Sequence, residues 1–174
     1  AHDGHVVAYE ALMRPQLPTL RSPITVMQLA SEMGRLYDIE KLTFFRACEC
    51  YEELEAAGKL DADALIFVNS IASVSLSDED WASYCEAHSA ILPKLVVEIT
   101  EEEEMNEREL ERKRNVPGAT GVFALDDYGS GYSNGNSLLT VAPKYVKVDI
   151  AIIQGIDTDA DKQQFLRALI DYAH

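Results

Sequence analysis

The 174-residue chain is poor in cysteine and has no long hydrophobic run. Its cysteines, Cys48, Cys50 and Cys85, form no Cys-x-x-Cys pair, which favours reduced thiols over a metal or redox role. No apolar stretch approaches the roughly 20 residues that a membrane helix requires. The first residues also lack a basic segment followed by an apolar one. We therefore expect no membrane span or targeting segment in this sequence, and a cytoplasmic protein.

Positive charge is scarce as well. Fifteen Lys and Arg residues stand against thirty Asp and Glu residues, and the net charge is −15. Such a charge argues against a general affinity for phosphate backbones or anionic lipid, so we expect no DNA or RNA polymer as a partner. A nucleotide ligand would need local cations, supplied either by Arg and Lys in a pocket or by bound metal. The remaining composition, 47% apolar and 26% charged, is typical of one globular domain.

Short apolar runs alternate with helical patterns along the chain. The runs rich in Val, Ile, Leu and aromatic residues predict strands at 5–9, 64–68, 94–97, 121–125 and 145–148. Helices are predicted at 25–34, 38–57, 78–87, 101–114 and 158–173. This alternation predicts an α/β fold with a parallel sheet of βαβ units. An open doubly wound sheet and part of a (β/α) barrel are both compatible with it.

Oxygen-bearing or charged side chains lie at the end of each predicted strand or just after it. They are Glu10, Asn69, Glu98, the pair Asp126–Asp127, and Lys147 with Asp149. Any one of them could simply cap a helix or form a turn. Ligands of parallel α/β proteins, however, bind at the carboxyl ends of the strands, where all of these side chains would meet. Carboxylates that close together require a cation, and oxygen ligands suit Mg²⁺ or Mn²⁺ better than Zn²⁺.

The adjacent aspartates raise a question of geometry. Asp126 and Asp127 can both serve metal ions only if one of them bridges two ions or the chain bends between them. Gly129 and Gly131 follow immediately and would allow such a bend.

Five segments carry a family resemblance. They are YEALMRP (9–15), FVNSIAS (67–73), VVEITE (96–101), LDDYGSGYS (125–133) and KVD (147–149). In this order they resemble the signature segments of the EAL-domain family, the bacterial phosphodiesterases that open cyclic di-GMP. The resemblance implies a TIM-like (β/α) barrel of which strands 2 to 6 are recognisable. Residues 1–174 would then be a single partial EAL domain.

The resemblance also implies roles for individual residues. The implied activity is hydrolysis of cyclic di-GMP to linear pGpG by a mechanism with two Mg²⁺ or Mn²⁺ ions. The implied metal ligands are Glu10, Asn69, Glu98, Asp126 and Asp127. Lys147 is expected to hold and activate the attacking water, and Glu10 is placed with it among the catalytic residues. The implied substrate-binding residues are Leu12, Arg14 and Asp149, with Arg14 on a phosphate.

The sequence departs from the family pattern in three ways. Segments resembling the family's first strand and its strands after Lys-x-Asp, with a later metal-binding Glu and a Gln, do not occur in it. Pro15 stands where Trp is usual and Ile150 where Arg is usual, and NGN (134–136) continues the glycine turn where Leu is commoner. We therefore expect an incomplete two-metal site in this stretch. Unpaired strand edges also predict a homo-oligomer through EAL-domain contacts, unless further strands complete the barrel.

Two other functions are compatible with the sequence. EAL folds that have lost catalytic residues can act as cyclic di-GMP receptors or protein-interaction scaffolds. A metal-dependent barrel lyase acting on a carboxylate substrate, similar to enolase-like enzymes, would also gather carboxylates at the strand ends. Only the phosphodiesterase releases a linear dinucleotide, and only the phosphodiesterase and the receptor bind the cyclic one.

Overall fold

A computed structural model of the chain describes residues 4–61, 63–101, 106–130 and 136–173. Five strands form one sheet in which every neighbouring pair is parallel and the spatial order equals the chain order. The strands are β1 Ala8–Ala11, β2 Leu65–Asn69, β3 Leu95–Thr100, β4 Val122–Tyr128 and β5 Tyr145–Val148. The sheet curls into half a barrel, which confirms the predicted α/β, TIM-like class.

Helices connect the strands. They are α1 Pro23–Glu32, α2 Leu36–Ala56, α3 Asp78–Ala87, α4 Glu107–Arg114, α5 Asn136–Val141, α6 Ile150–Ile153 and α7 Ala160–Ala173, with a 3₁₀ turn at Leu92–Lys94. Within the described ranges, no helix combines the length and the apolar character needed to cross a bilayer.

Two of the helix starts follow from local capping. The Ser77 hydroxyl accepts a hydrogen bond from the Asp80 amide at the start of α3, as expected for a helix beginning at residue 78. The helix predicted at 101–114 begins later, at Glu107, because Asn106 caps it. Its side-chain oxygen accepts from the amides of Arg108 and Glu109. Glu101 lies before the helix, and residues 102–105 of that prediction lie outside the described residues.

The outer face of the sheet packs against the helices and forms the core. Alternate strand residues such as Ile66, Val68 and Val97 point to this side and are buried. They meet aromatic residues of α2 and α3. Phe44 makes edge-on contacts with Trp81 and Tyr84 at centroid distances of 5.2 and 5.7 Å. Each such large side chain contributes roughly 1.5–3 kcal/mol by burial, which holds the two helices on the sheet.

The inner face of the sheet shows how strongly the sheet curls. Phe67 of β2 and Tyr145 of β5 are in edge-on contact, with ring centroids 5.2 Å apart. Two strands lie between them, so in a flat sheet they would be about 14 Å apart. Val96, the register partner of Phe67 on β3, is buried. The curl brings the inward-facing side chains of β1 to β5 towards one axis.

The observed strand bounds correct the predicted ones. β1 was predicted at 5–9 and lies at Ala8–Ala11, because its parallel register with β2 starts at the Ala8–Leu65 pair. β3 and β4 extend further than predicted, to Thr100 and Tyr128. Glu98, Asp126 and Asp127 therefore lie within strands rather than after them. Of the described strands, β1 and β5 each pair on one side only. The predicted self-association stays a prediction.

Candidate active site

Three carboxylates meet on the inner face of the sheet. Glu10 lies on β1, Glu98 on β3 and Asp126 on β4, and one oxygen from each lies within 4.8 Å of the others. The sheet register explains the meeting, because each residue occupies an inward position near the carboxyl end of its strand. The sequence prediction that these side chains converge is therefore matched by the geometry.

The ammonium group of Lys147 lies among the three carboxylates. Its Nζ is 2.5 Å from Glu98 Oε1, 3.1 Å from Glu10 Oε2 and 3.2 Å from Asp126 Oδ2. Lys147 is on β5, at the opposite side of the described sheet from β1, so the curl of the sheet is what lets Lys147 and Glu10 touch. One positive charge faces three carboxylates, and the cluster keeps a strong preference for further positive charge.

Burial sets the ionisation of this cluster. Glu98 is only 1% exposed, and its burial raises the pKa of its carboxyl to about 7, with a smaller rise from Asp126 and Glu10 that Lys147 opposes. Burial lowers the pKa of the Lys147 ammonium. Its hydrogen bond and charge interaction with Glu98 outweigh that effect, so the pKa of Lys147 lies above its ordinary value. Lys147 is thus a firmly charged group next to a carboxyl that exchanges its proton near neutral pH.

The donor set fits a divalent cation that prefers oxygen. The buried Glu98 carboxylate has an oxygen, Oε2, that accepts no hydrogen bond from the described residues. A buried carboxylate oxygen without a donor is costly unless a cation or water supplies the missing partner. With Glu10 and Asp126 beside it, Glu98 offers the carboxylate-only chemistry that Mg²⁺ and Mn²⁺ prefer.

A bulge separates the two adjacent aspartates. Leu125 pairs with Val146 and Tyr128 with Val148, so β4 holds one residue more than β5 between these pairs. Asp127 sits at this bulge with a φ of 53°, in the left-handed region that Asp tolerates. Asp126 keeps its inward direction, while Asp127 is exposed. The bend expected between the two aspartates therefore exists, and Asp127 itself adopts the left-handed conformation there.

Gly129 has a separate role just after this bulge. Its φ is 93°, and a Cβ added there would lie 2.8 Å from Ile152 Cγ1. A residue other than glycine would thus be both strained and too close to α6. Gly131, the second glycine of the predicted hinge, lies outside the described residues.

Comparison with known proteins identifies the family. The family model for the EAL domain matches residues 1–174. The chain belongs to the EAL domain family. It is 29% identical to cyclic di-GMP phosphodiesterase NbdA of Pseudomonas aeruginosa, over 98% of this chain and 22% of NbdA. The chain spans less than a third of the length of the curated relatives it matches.

Solved structures show the same fold. The PaMucR phosphodiesterase in a c-di-GMP complex superposes with a TM-score of 0.75 at 24% identity, covering 98% of this chain and 71% of that one. Klebsiella pneumoniae BlrP1 in a manganese and cyclic di-GMP complex gives a TM-score of 0.72 at 20% identity, covering 99% and 44%. At these identities the likeness establishes the EAL fold.

The other predicted site residues of the EAL domain are not among the three carboxylates and Lys147, and their local contacts differ. Asn69 ends β2 and pairs in register with Glu98 on β3. Leu12 is 51% exposed, and Arg14 is exposed, with its Nη1 donating to the carbonyl of Met13. The Asp149 carboxylate accepts a hydrogen bond of 2.6 Å from the Ala151 amide and so caps α6. The metal-binding, catalytic and substrate-binding roles of all predicted site residues stay predictions.

Glu101 is a site feature that the sequence reasoning missed. It is buried three residues after Glu98, where its Oε2 accepts from the Gly129 amide and its Oε1 from the Ser137 hydroxyl. Its own amide donates to the Asp126 carbonyl. Glu101 therefore braces the chain on both sides of residues 131–135. The run of four glutamates gives no signal for this role, because such a run is typical of a solvated helix.

The raised pKa of Glu98 predicts a specific pH dependence of stability. When a chelator keeps metal away, the folded state holds the Glu98 proton more tightly than the unfolded chain does. The reason is that the pKa of Glu98 is about 7 in the folded state and 4.5 as its ordinary value. This contribution to stability is complete below pH 4.5 and is lost as the pH rises through 7. Glutamine carries no titratable proton, so the Glu98→Gln variant should not show this loss. Between about pH 5 and about pH 8, we expect its free energy of unfolding, measured by urea titration, to fall less than that of wild type. Glu111→Gln, at an exposed site, should behave like wild type. Equal pH slopes for Glu98→Gln and wild type would contradict the raised pKa.

Proposed function

We propose that this EAL domain is a cyclic di-GMP phosphodiesterase that hydrolyses the cyclic dinucleotide to linear pGpG. The observation that carries the proposal is the meeting of Glu10, Glu98 and Asp126 around Lys147 at the carboxyl ends of the strands. Membership of the EAL family supports it, as does the relative NbdA, which is named a cyclic di-GMP phosphodiesterase. A pure binding scaffold has no evident need for three carboxylates that repel one another.

In this proposal the carboxylates of Glu10, Glu98 and Asp126, with Asn69 and Asp127, hold two Mg²⁺ or Mn²⁺ ions. Such ions, when bound, lower the pKa of water and neutralise phosphate charge. Glu98 would bind metal from a buried position, and its burial limits the movement of its side chain. Asp126 and Glu10 are the more accessible ligands at the mouth of the site. BlrP1, whose complex contains manganese and cyclic di-GMP, supports this choice of metal.

Lys147 is proposed to hold the attacking water and to keep positive charge at the reacting phosphodiester. Its ammonium has three N–H donors, and the three carboxylates around it fix its position. A carboxylate that turned to a bound cation would free one of these donors for the water. Water bound to it would lie next to the carboxylates that can accept its proton. Hydrolysis forms a bond from the water oxygen to phosphorus and breaks the bond from phosphorus to the 3′ oxygen. One proton of the water passes to the leaving 3′ oxygen, and the water oxygen becomes part of the terminal 5′ phosphate.

The proposal also explains how an acidic chain binds an anionic ligand. The net charge of −15 would repel a dinucleotide at long range. Cations held at the cluster would reverse the sign locally, and Arg14, which is exposed just after β1, is proposed to bind a phosphate oxygen. Leu12 and Asp149 are proposed to complete the substrate contacts.

The deciding experiment is a product assay on the full-length protein. Purified protein is incubated with cyclic di-GMP and Mn²⁺, and the nucleotides are separated by chromatography. We expect pGpG to accumulate and chelator to stop its formation. Binding of cyclic di-GMP without any product would favour a receptor instead. If the protein neither binds cyclic di-GMP nor forms pGpG, the proposal is wrong.

A further inference from the structure

A buried ion pair lies next to the candidate site but outside it. Glu40 of α2 and Lys113 of α4 are each 1% exposed, and Lys113 Nζ lies 2.8 Å from Glu40 Oε1. Neither residue belongs to the five signature segments. Burying two charges is costly unless they are paired and further hydrogen-bonded, so the remaining partners of this pair are informative.

The partners are the two residues that follow β2. Lys113 Nζ donates to the Ser70 hydroxyl and to the Ile71 carbonyl, both at 2.6 Å. Glu40 accepts from the Ser70 hydroxyl at 2.6 Å and from the Ile71 amide at 2.9 Å. Both backbone polar groups of Ile71 and the Ser70 side chain are thus held by one ion pair. Two helices thereby fix the chain where β2 ends.

This segment connects directly to two predicted metal ligands. Ser70 follows Asn69 in the chain, and the Ser70 amide donates to the Glu98 carbonyl at 2.9 Å. Asn69 and Glu98 are partners in the parallel register of β2 and β3. The ion pair therefore holds the backbone on which the Asn69 amide and the Glu98 carboxylate are placed relative to each other.

We propose that Glu40 and Lys113 are positioning residues for the metal site, acting through Ser70 and Ile71 on Asn69 and Glu98. This inference rests on the proposed function, because it requires that Asn69 and Glu98 hold metal. Stability alone is a weak reason for such a pair, since well-packed apolar residues of similar volume can replace a buried ion pair at little or no cost. Groups behind metal ligands, in contrast, commonly set the affinity for the metal.

The test compares metal affinity with stability in the full-length protein. Glu40→Leu/Lys113→Met removes both charges and keeps much of the apolar volume. We expect its folded form to bind Mn²⁺ about 10- to 100-fold more weakly than wild type, measured by calorimetry or by the EPR signal of free Mn²⁺. The free energy of unfolding in urea, measured in chelator, shows separately what the change costs the fold.

A second ion pair on the same helix provides the control. Lys94 Nζ lies 2.6 Å from Glu55 Oε1, and Lys94 directly precedes β3, at the amino end of the sheet. The Glu55→Leu/Lys94→Met variant makes the same two substitutions as the test variant. It also removes one glutamate from α2 and its lysine partner from another part of the chain. We expect its Mn²⁺ affinity to stay within about twofold of wild type, whatever its stability.

The outcomes separate the inference from the function it rests on. If wild type itself binds no Mn²⁺, the metal site and the inference both fail. If wild type binds Mn²⁺ and the Glu40→Leu/Lys113→Met protein binds it equally well, the pair serves stability alone and only the inference fails. If the Glu40→Leu/Lys113→Met protein does not fold, the Mn²⁺ affinity of the Ser70→Ala variant decides the question. It removes the hydroxyl held by the pair, and unchanged Mn²⁺ affinity in this variant would overturn the inference.

Discussion

Lys147→Met should lower the turnover of cyclic di-GMP by about 10²- to 10⁴-fold in the full-length protein. Methionine keeps the length and apolar stem of the side chain but removes the ammonium that contacts Glu10, Glu98 and Asp126. The proposed task of Lys147 concerns the water and the charge that develops during reaction. We therefore expect the dissociation constant for cyclic di-GMP to change only a few-fold. Steady-state kinetics and calorimetry on the same preparation measure the two effects.

Lys144→Met is the matched control for this prediction. Lys144 lies three residues earlier, is exposed and directly precedes β5, so the variant loses the same charge outside the cluster. Its turnover should stay close to that of wild type. Parallel losses of binding and turnover in Lys147→Met would instead make Lys147 a phosphate-binding residue. Full activity of Lys147→Met would remove it from the mechanism.

The sequence predicted the parts of the fold that depend on local pattern. Alternating apolar runs and helical periods are sufficient for the βαβ order, and the β5 and α3 bounds were correct at 145–148 and 78–87. In parallel strands, residues at the carboxyl ends meet by topology, so the sequence alone predicts the convergence of Glu10, Glu98 and Asp126. Packing against neighbouring strands decides where a strand stops, which explains why β3 and β4 extend past their apolar runs.

Other features depend on contacts between residues distant in the chain. The bulge at Asp127 exists because β4 and β5 differ in residue count between two paired positions, and one strand alone cannot show that. Glu40 and Lys113 are separated by 73 positions in the chain. The local sequence around each of them predicts a helix and nothing more. Only the packed structure shows that they form a buried pair. The ligand roles assigned by family resemblance need measurement for the same reason, since position in a fold does not establish chemistry.

Asp126→Asn should remove most of the stabilisation that Mn²⁺ gives to the folded protein. An ion that binds only the folded state stabilises it by about 2.7 kcal/mol at roughly 100 times its dissociation constant. Asp126 belongs to the group of three carboxylates, and its replacement leaves a neutral amide with one weaker oxygen. The melting temperature of the full-length protein, measured against Mn²⁺ concentration, should rise clearly in wild type and little in the variant.

Two other aspartates give this measurement its controls. Asp61→Asn changes the net charge equally, but Asp61 is exposed and lies before β2, at the amino end of the sheet. It should keep the full Mn²⁺ response, which excludes general attraction of cations to an acidic chain. Asp127→Asn tests the neighbour beyond the bulge. We expect a smaller loss than for Asp126→Asn, because the Asp127 carboxylate is outside the group of three. An equal Mn²⁺ response in wild type and Asp126→Asn would place the metal site elsewhere.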